Sequence, residues 1–161
     1  MYDTLSANYD RFVNWQARLA IELPFIIGKL REVDARRVLD VATGTGMHAI
    51  ALAQCGFTAT GADISQGMVE RAKLNASTAG VQVRFELAGF GSLAGLFGKG
   101  SFEAVLCLGN SLPHLLSDAE LRATLADFAF CLKPGGLLLL QNRNFDSVLA
   151  QHNRFTLLKK W

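Results

Sequence analysis

Two stretches hold residue types whose order and spacing could do chemistry. The first is Gly44-Thr45-Gly46-Met47-His48-Ala49, with an acid, Asp63, 19 residues after Gly44. Closely spaced glycines let the backbone turn tightly and approach a ligand without a Cβ in the way. An acid that far on, closing the next strand, can accept hydrogen bonds from ribose hydroxyls, so the pair predicts a site for an adenosine-containing ligand. The second stretch is "LLLLQNRNFD", residues 137–146. Four leucines read as a strand buried on both faces. They run without a turn residue into Gln141, Asn142, Arg143 and Asn144.

Such residues act only if the fold brings them together. "RVLDVA" (37–42), "FTATGAD" (57–63), "VQVRFELA" (81–88), "FEAVLCL" (102–108) and "LLLLQ" (137–141) read as five strands. Helical patterns alternate with them: residues 15–32, "MHAIALAQCG" closed by Gly56, 65–80 ending at Gly80, and a helix capped by Ser117 with Glu120 that runs through Leu132 to "KPGG". Apolar strands alternating with helices predict an α/β fold, a Rossmann-like, doubly wound and mostly parallel sheet covered on both faces. Ligands of such sheets bind outside the carboxyl ends of the strands, near the point where strand order reverses. Arg143 therefore falls where a ligand would be.

Composition narrows the function. The chain has 161 residues, half of them apolar, and a net charge of +2. That balance suits one globular domain and gives no basic stripe for nucleic acid and no membrane-binding face. No apolar run approaches the ~20 residues of a membrane span. The start, "MYDTLSANYD", has neither the basic nor the greasy region of a signal peptide, so a cytoplasmic protein is expected. Cys55, Cys107 and Cys131 lie in apolar stretches and read as reduced core thiols. No Cys/His cluster or carboxylate pair has metal-ligand spacing, and no metal is expected.

The glycine loop alone does not say which adenosine-containing ligand binds. Read as G-x-G-x-x-A, it permits a nicotinamide cofactor. Against that, the first strand begins only near residue 37, behind a helical segment. Asp40 would repel a pyrophosphate, although it can hold the loop or face a cationic ligand end. No acid/base constellation for hydride transfer follows.

In order along the chain, "VLDVATGTG", "GADIS" and "LKPGGLLLLQ" resemble the motifs of class I S-adenosylmethionine-dependent methyltransferases. "LCLGNSLPHL" (106–115) and "QNRNFD" (141–146) are similar to the glycine/sarcosine N-methyltransferase branch. The resemblance implies S-adenosylmethionine as cofactor and a small-molecule methyl acceptor, an amine or amino acid nitrogen. It also implies roles position by position. Arg18 would grip the cofactor's carboxylate, Ala42, Gly44 and Gly46 would pass backbone along its methionine part, and Asp40 counts with them as a cofactor-site residue. Asp63 would take the ribose hydroxyls with Ile64 beside it, while Met68 and Phe90 would pack near the adenine. Leu108 would meet the sulfonium end. Asn110 and Ser111 would orient acceptor and cofactor, Arg143 would bind the acceptor's carboxylate, and His114 would touch the cofactor or act as a base. "NYDRFVNW" would form a lid folding over the cofactor, with Tyr9 at the cofactor site; read from its residues alone, the segment is equally an aromatic patch packing the first helix. Gly89 stands where the family carries an Asp or Asn that accepts from the adenine amino group, a bond worth roughly 1.5–3 kcal/mol when charge-assisted.

The expected division is an N-terminal helical or lid segment over residues 1–36 and a methyltransferase core over 37–161. The family's sheet continues past strand five with a sixth and a seventh strand, for which "QHNRFTLLKKW" offers no counterpart. The core therefore reads as truncated, with a sheet edge free to pair in a homodimer. Three functions follow from these residues: methyl transfer to a small molecule, a non-catalytic S-adenosylmethionine-binding domain, and an NAD-dependent oxidoreductase.

Overall fold

The structure, a computed structural model, describes residue 10 and residues 13–150. Helix α1 (Trp15–Glu32) precedes β1 (Arg37–Val41), α2 (Met47–Gln54), β2 (Thr58–Asp63), α3 (Gln66–Ala79) and β3 (Arg84–Leu87). Then come α4 (Leu93–Phe97), β4 (Phe102–Cys107), a 3₁₀ turn (Leu112–His114), α5 (Asp118–Cys131), β5 (Leu132–Leu140) and α6 (Phe145–Ala150). The strands lie in the order β3-β2-β1-β4-β5, with every pairing parallel. Strand order reverses beside β1. The carboxyl ends of β1 and β4 therefore flank the switch point at which open α/β sheets bind ligands.

The strand side chains alternate between two cores, as the period of an extended chain requires. Val38, Ala104 and Leu106 face Ile26 and Leu30 of α1, Ile50 and Leu52 of α2, and Val69 and Ala72 of α3. Leu39, Val41, Val105 and Cys107 face Leu93 of α4 and Phe128 and Cys131 of α5. Each such side chain removed from water contributes roughly 1.5–3 kcal/mol, so the central strands are the least movable part of the molecule. Asn14 caps α1 by accepting from the Ala17 N–H, Ser65 caps α3, and Ser117 with Glu120 completes a capping box on α5. At the opposite end of the sheet, Glu103 takes the Arg37 side chain and N–H together with Lys133. Burial opposes this charge, but the hydrogen bonds from Lys133 and Arg37 hold the carboxyl down at about 2.

Several sequence-based expectations are corrected. Leucines 137–139 are only half-buried and Leu140 is 38 % exposed, because β5 is an edge strand among the described residues. Helix α5 ends at Cys131, and "KPGG" runs within β5, where a register shift against Phe102 and Ala104 absorbs the extra residues. Strand β3 spans four residues rather than eight, since only Arg84–Leu87 pairs with β2. Helix α4, absent from the sequence reading, forms because Asp127 accepts from the Leu93 and Ala94 N–H groups at its start. Cys55 is exposed at the C-cap of α2, whereas Cys107 and Cys131 are buried. Burial pushes the Cys107 thiol up to about 12, which keeps it protonated and inert. No helix among the described residues is long and apolar enough to cross a membrane, and no group of three metal-capable side chains occurs among them.

Candidate functional site

The loop after β1 shows what its glycines are for. Gly44 and Gly46 have φ of 57° and 79°, in the left-handed region that side chains disfavour. At Gly46 the space is also closed: a Cβ there would stand 2.7 Å from Phe85 Cζ and 2.9 Å from Ala72 Cβ. The loop is thus pressed onto β3 and α3 while its outer side stays open. Ala42, also left-handed at φ 54°, turns the chain out of β1.

Two acids hold this loop in different ways. Asp63, at the end of β2, accepts from the Gly44 N–H at 2.8 Å and from the Ser65 N–H at 2.9 Å. Asp40 is buried inside β1 and accepts from the Thr43 hydroxyl at 2.6 Å. Burial raises the Asp40 carboxyl, against the opposing pull of His48 and the Thr43 hydrogen bond. Asp63 therefore faces the open side, and Asp40 braces the loop from beneath through Thr43, not through the loop amides.

A cavity of about 400 Å³ opens above these residues. It falls within the ~300–1,000 Å³ typical of small-molecule sites. Nine of the residues singled out by sequence line it: Ala42, Gly44, Asp63, Ile64, Met68, Phe90, Asn110, Ser111 and His114. Met68 and Ala88 are buried beneath it, and Phe90 is fixed by an edge-to-face contact with Phe128. The polar groups are Asp63 on the β2 side and Asn110, Ser111 and His114 on the β4 side. Gly89 lines the wall beside Ile64.

The other predicted residues lie elsewhere. Gly46 packs on Phe85, and Leu108 is buried at the end of β4. Arg143 is exposed beyond β5, its N–H donating to Asn110 Oδ1 at 3.0 Å. Asn110, left-handed at φ 72°, also donates its own N–H to the Gln141 carbonyl. The amide-rich run after β5 is therefore stitched to the loop after β4. Arg18 does not line the cavity; its Nε donates to both oxygens of Glu22 and its Nη2 to Gln141 Oε1. Its guanidinium also lies 5.1 Å from the Trp15 ring centroid, and the Trp15 ring meets His48 edge-on. Tyr9 lies outside the described residues. Neighbouring Asp10 accepts from Trp15 Nε1, the Thr45 hydroxyl, Arg71 and Asn75, which ties residue 10 to α1, the glycine loop and α3.

Sequence reading missed Glu22, His48 and Gln141 as a connected group, and the backbone wall formed by Gly109. Glu22 and Gln141 are 119 positions apart, so no local pattern announces their contact. The partial signal was Gln141 itself, an amide directly after a leucine run.

A parallel sheet wound in both directions, with a glycine loop after its first strand and an acid closing its second, defines a Rossmann-like nucleotide-site protein. Residues 38–136 match the methyltransferase domain, and the chain belongs to that family. It is 43 % identical over 141 residues to glycine/sarcosine N-methyltransferase of Parasynechococcus marenigrum (strain WH8102), covering 88 % of this chain and 50 % of that protein. It is 40 % identical over 143 residues to the enzyme of the same name from Aphanothece halophytica, covering 89 % and 54 %. Among solved structures it is similar to SAM-bound CalS10, an amino pentose methyltransferase from Micromonospora echinaspora. There the TM-score is 0.68 at 28 % identity, over 85 % of this chain and 54 % of the other. The chain spans about half the length of the curated relatives it matches.

Proposed function

We propose that the cavity binds S-adenosylmethionine and that the chain belongs to an enzyme methylating the nitrogen of a small amino acid or amine. The observation carrying this reading is the placement of Asp63. Its carboxylate closes β2 at the wall of a cavity whose remaining lining on that side is apolar, from Ile64, Met68, Ala88 and Phe90. A ribose diol fits the acid, and a purine fits the apolar slot beside it. The kinship with glycine/sarcosine N-methyltransferases supports the acceptor class.

Bound there, S-adenosylmethionine supplies a methyl group on a positively charged sulfur, open to in-line displacement by a neutral nitrogen. The protein's own residues have to orient the reactants and exclude water, and orientation of this kind can contribute roughly 7–11 kcal/mol. Ala42 and Gly44 present backbone along the methionine part, with Leu108 beneath. Asn110 and Ser111, in the loop after β4, line the cavity where the acceptor would meet the cofactor. Arg143, held by Asn110, supplies a planar donor fork for the acceptor's carboxylate. His114 stands at the rim, on the 3₁₀ turn.

With glycine or sarcosine as acceptor, Arg143→Lys should raise the acceptor KM about tenfold or more, since lysine loses the bidentate geometry. The Kd for S-adenosylmethionine should stay within about twofold. Steady-state kinetics with both ligands varied checks this, and an unchanged acceptor KM would remove Arg143 from the acceptor site.

The outer edge of β5 has no strand partner among the described residues and carries the half-buried leucines. A second copy pairing along that edge would cover its unpaired backbone groups. Sedimentation velocity at micromolar concentration should show a dimer that Leu138→Pro, which removes a ladder donor, converts to monomer. A wild-type monomer would refute the pairing.

A further inference from the structure

We infer that Glu22 and Gln141 are positioning residues that aim the Arg18 guanidinium at the amino acid end of the bound cofactor. The inference rests on the S-adenosylmethionine reading above. Two side chains one turn apart on α1 and a third from the end of β5 close a ring. Arg18 Nε donates to Glu22 at 3.0 and 3.1 Å, Gln141 Nε2 donates to Glu22 Oε1 at 2.7 Å, and Arg18 Nη2 donates to Gln141 Oε1 at 3.2 Å. Gln141 Oε1 also accepts from the Gly109 N–H at 3.1 Å, and Gly109 lines the cavity. Arg18 Nη2 lies 3.6 Å from where a Cβ on Gly109 would stand, an ordinary contact distance that puts the guanidinium beside this residue of the cavity wall.

The ring fixes an orientation. Glu22 and Gln141 occupy Nε and Nη2, Trp15 lies 5.1 Å away, and Nη1 has no partner among the described residues. A long cationic side chain loses less freedom on binding when it is already held in this way. Glu22 is held in turn by His48, whose Nε2 donates to Oε2 at 2.7 Å. Burial pushes the Glu22 carboxyl up, but hydrogen bonds from Gln141, His48 and Arg18 outweigh it and leave the group below its ordinary value. Glu22 thus stays ionised and acceptor-only, as the ring requires. This also accounts for the amide that follows the leucines: Gln141 links the end of β5 to α1 and to the loop after β4.

The test compares two ligands. S-adenosylhomocysteine carries the amino acid end and 5′-methylthioadenosine lacks it. Glu22→Ala and Gln141→Leu should each weaken S-adenosylhomocysteine about tenfold or more, while 5′-methylthioadenosine stays within about twofold of wild type. In an Arg18→Ala background neither change should weaken S-adenosylhomocysteine further, because the residues act through Arg18. Parallel loss of both ligands would mark the ring as merely structural and overturn the inference. Tighter S-adenosylhomocysteine binding in Glu22→Ala would show Glu22 competing for Arg18 and overturn it equally. A wild-type chain that binds neither ligand would refute the cofactor reading itself, a distinct result.

Discussion

Replacing Asp63 with alanine is expected to weaken S-adenosylmethionine binding by about 100-fold or more. Two charge-assisted bonds to ribose hydroxyls, at roughly 1.5–3 kcal/mol each, account for at least about 3 kcal/mol, which is that factor in Kd. The same carboxylate holds the glycine loop through Gly44 and the start of α3 through Ser65. Alanine leaves those two N–H groups without it, at roughly 1–3 kcal/mol each where water cannot replace it. The variant should therefore lose thermal stability as well as ligand. Asp63→Asn separates the two effects, since its one amide oxygen can keep a backbone partner while the charge is gone. Its melting temperature should lie between those of wild type and alanine, with affinity still much reduced. Calorimetry and a thermal melt on all three proteins check this. Wild-type affinity in the alanine variant would mean that the ligand does not use β2's acid.

The second large effect is expected at Gly46. Gly46→Ala adds a Cβ 2.7 Å from Phe85 Cζ at a residue whose φ is 79°. Overpacking costs roughly 1–3 kcal/mol and left-handed backbone at alanine another 1–2. The total of about 2–5 kcal/mol corresponds to a fall in melting temperature of roughly 4–20 °C for a domain of this size. Adding Phe85→Leu should recover part of the loss by withdrawing the ring, though it opens space of its own in the core. The backbone component should remain. An undisturbed melting temperature in the single variant would show that the loop relaxes freely away from β3.

What the sequence made legible was whatever local chemistry controls. Helix α1 falls on residues 15–32 as its pattern demands, and the central strands sit where Val38–Val41 and Ala104–Cys107 place them. Glycines 44 and 46 and Asp63 declared their loop because its geometry admits few other residues. The sequence was least informative where neighbours in space decide. β5 reads as fully buried, but burial depends on what lies beside the strand, which four leucines cannot reveal. α4 is started by Asp127, more than thirty residues downstream. Arg18 was singled out for a ligand, yet its contacts with Glu22 and Gln141 join helix and strand end across most of the chain. Cys55 looked like a core thiol because its flanks are apolar, but it caps a helix at the surface.

The most direct test of the central claim is a calorimetric titration of S-adenosylmethionine, then of NADH, into the purified 161-residue chain. The predicted result is saturable one-site binding of S-adenosylmethionine, greatly weakened in Asp63→Ala, and no heat from NADH. Saturable NADH binding, or no binding of S-adenosylmethionine, would contradict the account.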